Sequence, residues 1–135
     1  MKKKVKVVAA VIEQEGKVLC ALRSSQMSIP NVWEFPGGKV EEGESLQTAL
    51  EREIEEELAC SIKAGSIFHD HTHEYEAAVV QLIALKAKLI EGAPAAQEHE
   101  ELLWLPKESL ASLVWAPADV PAVEALIEEK KVLNS

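Results

Sequence analysis

The stretch from Ser45 to Leu58 constrains the fold more than any other part of the chain. It contains no glycine and no proline, and Ser45 stands where a helix N-cap belongs, so the spacing predicts a helix. At about 100° per residue, Leu46, Leu50, Ile54 and Leu58 fall on one stripe roughly 120° wide, the width of a core-facing stripe. Glu51 and Glu55 fall on the opposite side, where solvent is expected. Glu53, Glu56 and Glu57 occupy an arc of roughly 100° that partly overlaps the apolar stripe. Their i, i+3, i+4 spacing makes them neighbours. Carboxylates about 6 Å apart on a half-buried side repel by roughly 3 kcal/mol per pair at an effective dielectric near 20. Arg52 is the one basic residue inside the segment. A solvated acidic face therefore describes these three residues poorly. A hard divalent cation reverses the sign of the repulsion, because carboxylate oxygens are the ligands Mg²⁺ prefers.

The rest of the chain supplies a sheet for this helix to cover. Val5 to Glu13 is apolar on both alternations and reads as a strand covered on both faces. Glu15-Gly16 signals a turn, and Lys17 to Arg23 a returning strand. Ser24 to Val32 is polar with Pro30, hence a loop. Trp33-Glu34-Phe35 is a short extended piece ending in Pro36-Gly37-Gly38, whose adjacent glycines permit a tight turn and close backbone approach to a ligand. Ser61 to His73 and Ala77 to Leu89 read as strands joined near Glu74 to Glu76. A loop follows from Glu91 to Gln97, then a short strand from Leu102 to Leu105. Lys107 to Leu113 reads as a short helix. A last helix from about Asp119 to Lys131 turns Val123, Leu126 and Ile127 inward. The expected architecture is α/β, one mixed sheet sandwiched between helices, in a single domain over residues 1–135.

Charge narrows the partners. The formal net charge is −9, which argues against a duplex-nucleic-acid or anionic-membrane binder, since both need a basic surface. A small anionic substrate stays possible if a metal supplies the positive charge. Met1-Lys2-Lys3-Lys4 resembles the start of a signal peptide, but the apolar run stops at Glu13 without a small-residue cleavage site. Two cysteines, Cys20 and Cys60, are too few for a disulfide framework and are expected to be buried thiols of a cytoplasmic protein. Monomer and homodimer both stay open.

The acidic helix belongs to a longer pattern. Gly38, five residues, Glu44, seven residues, then Arg52-Glu53-Ile54-Glu55-Glu56-Glu57 resembles the Nudix box, G-x5-E-x7-R-E-U-x-E-E-x-G-U, where U is a bulky apolar residue. The match spans Gly38 to Cys60 with every spacing intact. One fixed position departs: Ala59 stands where the family has glycine, and Cys60 is a less usual apolar residue. That glycine ends the helix in a left-handed turn, which Ala59 makes less favourable by about 1 kcal/mol. The resemblance covers nearly the whole chain and is strongest to the MutT-like branch, especially bacterial CTP pyrophosphohydrolases. Trp33 to Glu41, Glu98-His99-Glu100 and Ala116-Pro117-Ala118-Asp119 carry that likeness. It implies the Nudix α/β/α sandwich and hydrolysis of a nucleoside diphosphate linked to another group.

The resemblance also implies roles. Glu53, Glu56 and Glu57 are the expected Mg²⁺ ligands, with the Gly37 carbonyl as a backbone ligand and Mn²⁺ as a substitute ion. Such a metal neutralises phosphate charge, orients the chain and lowers the pKa of a bound water. Arg52 is expected to pair with Glu53 and hold it, and Glu44 to support the loop and helix start. Glu98 matches a loop glutamate that serves MutT-like enzymes as a further metal ligand or general base, and the choice of base between Glu53 and Glu98 stays open. Gly38 lets phosphates approach. Arg23 and Lys39 are candidates for gripping phosphate oxygens, and Phe35 for stacking on a base. Asp119 is either the N-cap of the last helix or the base-recognition residue. As an ionised carboxylate it only accepts hydrogen bonds, which suits an amine donor such as cytosine N4.

Several outcomes remain on the table. The leading expectation is a Mg²⁺-dependent pyrophosphohydrolase that turns a nucleoside triphosphate and water into a monophosphate and pyrophosphate. Cytosine nucleotides such as CTP, dCTP and 5-methyl-dCTP come first, and oxidised purine triphosphates such as 8-oxo-dGTP second. A catalytically silent nucleotide-binding domain and a Nudix enzyme of another substrate class are the alternatives. His69, His71 and His73 alternate on one strand face, as transition-metal ligands or, more ordinarily, as half-exposed surface. Trp104 and Trp115 read as packing residues.

Overall fold

The computed structural model describes residues 2–133. The chain starts with β1 (Lys3–Gln14) and β2 (Lys17–Leu22). The two-residue connection Glu15-Gly16 has φ of 51° and 78°. Two positive values fit the twist of a tight hairpin, and glycine at the second makes it accessible. Then come β3 (Trp33–Glu34), β4 (Gly37–Lys39), α1 (Leu46–Leu58), β5 (Ser61–Glu74), β6 (Ala78–Glu91) and β7 (Glu101–Pro106). Two 3-10 turns, Lys107–Ser112 and Pro117–Asp119, lead into α2 (Val120–Leu133).

The strands form one mixed sheet in the order β3-β2-β1-β6-β5, with β4 also on β1 and β7 also on β2. β1 runs parallel to β6 from Lys3 to Ile12, and β5 and β6 form a long antiparallel pair. β1 is buried on both faces, as its doubly apolar pattern predicts. Val8, Ala10 and Ile12 meet Leu50, Ile54 and Leu58 of α1 in one core. Ala9 and Val11 meet Ala122, Val123 and Leu126 of α2 in the other. Leu50, Ile54 and Leu58 are fully buried, each contributing about 1.5–3 kcal/mol through area removed from water. A mixed sheet between helices is therefore the observed fold. No helix among the described residues is long and apolar enough to cross a membrane.

Two details depart from the sequence-based expectations. Glu51 is not solvated: half-buried, it accepts a 2.9 Å hydrogen bond from the Ala64 amide. On the wheel it lies only about 20° beyond the Leu58 edge of the stripe, so a strand packed there reaches it. The Gly37-Gly38 pair makes no turn. Both residues belong to β4, opposite Ala9 and Val8, and neither has a positive φ. Space is what requires them, because a Cβ on Gly37 would lie 1.9 Å from the Val8 carbonyl oxygen. The short helix expected over Lys107 to Leu113 is present as a 3-10 helix over Lys107–Ser112, one residue shorter.

Candidate active site

α1 sets the site. The Ser45 side chain accepts from the Thr48 amide and starts the helix, and Ala59 ends it at φ 53°, ψ 38°, with its N–H on Glu55. The left-handed exit thus persists without glycine. Between these caps Arg52 is a hub. Its Nε and Nη2 grip both oxygens of Glu44 at 2.7 and 2.8 Å. Its Nη1 reaches Glu53 at 3.2 Å and Glu56 at 3.4 Å, and Nη2 also donates to the Lys39 carbonyl at 3.3 Å. Glu44 accepts in addition from the Glu41 amide. The Arg52 hydrogen bonds, then that amide, hold the Glu44 carboxyl down at about 2. Arg52 therefore positions Glu53 as expected, but its firmest partner is Glu44, which ties the loop before the helix to its middle.

Gly38 faces this network. A Cβ there would lie 2.3 Å from the Glu53 carboxyl carbon, so the glycine makes room for a glutamate, a reason the sequence did not show. Glu57, one turn further along α1, is half-buried on the wall of the pocket that Gly37 and Gly38 also line. Its Oε1 is buried and has no hydrogen-bond partner. Burial first of all pushes its pKa up to about 7, with Glu34 and Glu53 adding to the rise and His99 and the Gly37 amide opposing it.

A pocket of about 310 Å³ opens beside these groups. Its wall includes Arg23, Glu34, Phe35, Gly37, Gly38, Lys39, Glu57, Glu98 and Asp119. The structure thus gathers residues from β3, β4, α1, the 92–100 loop and the turn before α2 around one cavity. Lys39 and Glu98 are exposed on its rim. Asp119 also lines it, is 5% exposed, and accepts a 3.0 Å hydrogen bond from the Phe35 amide. Its bond to a distant strand, not to the first turn of α2, is what that side chain makes. Burial raises its pKa to about 8, with the Phe35 amide opposing and Glu34 adding to the rise. Such a shift favours the carboxylic acid, which donates as well as accepts. That revises the expectation of an acceptor-only carboxylate.

Two expected ligand contacts are occupied by the protein itself. Phe35 is 3% exposed and its ring packs on Trp115 at 4.8 Å, so neither face is open for stacking on a base. Trp115 in turn donates to the Leu110 carbonyl, as a packing residue. Arg23 donates to the Ser28 and Ile29 carbonyls and to Glu34, so it braces the 24–32 loop along the pocket wall. Glu34 and His99 are functional candidates that the sequence reading missed. Glu34 bridges Arg23 at 2.7 Å and His99 Nε2 at 2.8 Å, and the His99 side chain is only 2% exposed. A charged residue between the aromatics of Trp33-Glu34-Phe35, in a strand otherwise bound for the interior, was the available signal. His69, His71 and His73 stay on β5, where His71 and His73 pack ring to ring at 6.0 Å and His73 packs on Tyr75.

The donor set suits a hard cation. It is all oxygen, and the Glu57 Oε1 is buried, polar and without a partner, a state that costs about 1–3 kcal/mol unless something binds it. Among the described residues no group of three His, Cys, Asp or Glu side chains stands ready to hold a metal ion by itself. Glu56 in particular is 60% exposed and turned to Arg52. Mg²⁺ tolerates such an open arrangement, because it keeps several waters and takes one or two carboxylates plus substrate phosphates.

A NUDIX domain profile matches residues 2–126. The chain belongs to the Nudix hydrolase family. It is 39% identical to the CTP pyrophosphohydrolase of Escherichia coli K12 over 93% of each chain. It is 36% identical to a putative 8-oxo-dGTP diphosphatase 2 of Mycobacterium tuberculosis, over 84% of this chain and 81% of that one. Among solved structures, a MutT Nudix hydrolase of methicillin-resistant Staphylococcus aureus 252 superposes with a TM-score of 0.77 at 45% identity, covering 96% and 99% of the two chains. Nudix hydrolases use divalent cations, and the Gly38 to Cys60 signature lies along β4, the following loop and α1, where those cations would be held.

Proposed function

We propose that this Nudix hydrolase is a Mg²⁺-dependent nucleoside triphosphate pyrophosphohydrolase that releases a monophosphate and pyrophosphate, with Mn²⁺ as a substitute ion. The unpartnered Glu57 oxygen on the wall of a pocket that a buried Asp119 also lines carries this reading. Glu53, Glu56 and Glu57, with the Gly37 carbonyl, hold the cation. When bound, it neutralises phosphate charge and activates water. Glu53 is set by Arg52, and Arg52 by Glu44. Glu98, on the pocket rim and without a side-chain partner among the described residues, accepts the proton of the attacking water, whereas Glu53 is already engaged by Arg52. Lys39 faces phosphate oxygens from the rim. The protein acts as a single domain in the cytoplasm on a small nucleotide.

Cytosine is the preferred base. A neutral Asp119 accepts from the N4 amine and donates to the acceptor ring nitrogen N3, a two-bond match. The Escherichia coli relative, named for CTP, supports the same choice. A second reading rests on the same acid. An 8-oxidised guanine presents an N7–H donor beside the O6 acceptor, which also matches. Unmodified guanine presents two acceptors there and does not.

The test is a product assay with Mg²⁺ and a panel of ribo- and deoxynucleoside triphosphates, 5-methyl-dCTP, 8-oxo-dGTP, ADP-ribose and a dinucleoside polyphosphate. Monophosphate plus pyrophosphate from CTP or dCTP, abolished by EDTA and with the highest kcat/KM of the panel, is expected. A higher kcat/KM for 8-oxo-dGTP would favour the second reading. No turnover of any member would leave a silent nucleotide-binding domain.

A further inference from the structure

A second cleft, of about 240 Å³, is lined by Lys3, Lys4, Val5, Lys6, Lys39 and Val40. Four cations thus share one small cavity in a chain whose net charge is −9. All four are exposed, and none has a hydrogen bond or ion pair from its side chain to a described residue. Five other basic residues are engaged, Lys2 with Glu74, Lys86 and Lys107 with Glu13 and Glu129, Arg23 with Glu34 and Arg52 with Glu44, whereas Lys17, Lys63, Lys88, Lys130 and Lys131 are scattered lysines without such a pair among the described residues. Like charges gathered without counter-charges raise the local potential and concentrate anions.

The backbone fixes where this cleft lies. The Val40 amide donates to the Lys6 carbonyl, and Lys39 sits opposite Val7 on β1. Lys39 also lines the catalytic pocket, next to Gly38 and the Glu53 carboxylate. Lys39 is thus shared by the catalytic pocket, whose wall also holds Gly37, Gly38, Glu57 and Asp119, and by the lysine cleft. A nucleotide with its base at Asp119 and its phosphates at the carboxylates points the far end of its phosphate chain at the lysines.

We propose that Lys3, Lys4 and Lys6 form a polyphosphate subsite that holds the distal phosphates of the substrate, the part that leaves as pyrophosphate. This rests on the pyrophosphohydrolase reading and sharpens its substrate class. Ammonium groups on flexible stems suit a chain of phosphates that is read by charge alone. Triphosphates are then favoured over the matching diphosphates, whose shorter chain ends before the cleft.

Inorganic tripolyphosphate binding, by calorimetry without nucleotide, tests this for the wild type, a Lys3→Gln/Lys4→Gln/Lys6→Gln variant and the corresponding Lys→Arg triple variant. The glutamine variant should bind about tenfold or more weakly with a shallower salt dependence, while the arginine variant keeps the affinity. In turnover, the glutamine variant should lose kcat/KM on the nucleoside triphosphate, with the loss in KM, and lose less on the diphosphate. Equal tripolyphosphate binding by the wild type and the glutamine variant, or no binding by the wild type, would overturn the subsite. Because the calorimetry needs no turnover, lysine-dependent binding without nucleotide hydrolysis would sink the pyrophosphohydrolase reading alone.

Discussion

The pocket wall holds two carboxyls with raised pKa, half-buried Glu57 and buried Asp119, and they differ in what surrounds them. Glu57 stands among other carboxylates with one oxygen unpartnered. Asp119 has a backbone donor, the Phe35 amide, and sits in the apolar core beneath α2. Desolvation raises both, but the local partners prescribe opposite uses. An unpaired carboxylate next to further acids is completed by a cation. A carboxyl held neutral, with one oxygen fixed by an amide, offers a matched donor and acceptor to a base. Under the proposed function, one polar chemistry would serve metal holding at Glu57 and base reading at Asp119 through neighbours alone.

Substitutions at the base end separate the neutral acid from an ionised one. Asp119→Ala should cut kcat/KM for the preferred nucleotide by about 10- to 100-fold, the value of one two-bond base contact. Asp119→Asn keeps a donor and an acceptor, so it should stay within a few-fold of the wild type. An asparagine variant as poor as the alanine variant would mean that Asp119 works as a carboxylate. At the metal end, Arg52→Ala releases Glu44 and Glu53 together and should reduce kcat by about 10- to 100-fold, the usual effect of losing a group that orients ligands. Unchanged kcat would show that Glu53 needs no such support.

Acidity sharpens the contrast further. A cation must displace the Glu57 proton, so affinity should rise about tenfold per pH unit below about 7 and level off above it. Both acids also bind protons more tightly folded than unfolded, Glu57 at about 7 against 4.5 and Asp119 at about 8 against 3.8. The metal-free protein should therefore lose stability as pH rises from about 4.5 toward 8. The depressed Glu44 works in a separate window, losing its stabilising bond to Arg52 only as pH falls from 4.5 toward about 2. Melting curves in EDTA check the slope, and a melting temperature that rises across the upper window would contradict both assignments. The smallest effect is at the helix exit. Ala59→Gly should stabilise the fold by about 1 kcal/mol, roughly 3 °C in Tm, by relieving a left-handed alanine; no gain would mean the exit is unstrained.

What was legible in the sequence follows the same division. α1 and its carboxylates could be read because helical periodicity and a fixed spacing report local geometry, and β1 because its residues are apolar on both faces. The Arg52–Glu44 clamp spans eight residues across a loop, so only its Arg52–Glu53 edge was expected. The role of Gly38 depends on a side chain fifteen residues later in the chain, and that of Gly37 on the β1 backbone, so composition suggested a turn where packing demands space. Phe35 and Asp119 come together across the whole fold. Packing on Trp115 makes the Phe35 ring core, and burial raises the Asp119 pKa against the pull of the Phe35 amide; no local pattern encodes either. Glu34 and His99 were missed for the same reason: their partnership exists only once β3 and the 92–100 loop meet.

The central claim is that Glu57 completes the cation site. Mn²⁺ binding by equilibrium titration, measured with Mg²⁺-dependent CTP turnover in the wild type and Glu57→Gln, tests it most directly. With the near-ultraviolet circular dichroism unchanged, the variant should lose Mn²⁺ affinity and about 1,000-fold in kcat, the equivalent of about 4 kcal/mol of transition-state stabilisation. A folded Glu57→Gln protein that binds Mn²⁺ and hydrolyses CTP like the wild type would contradict the account.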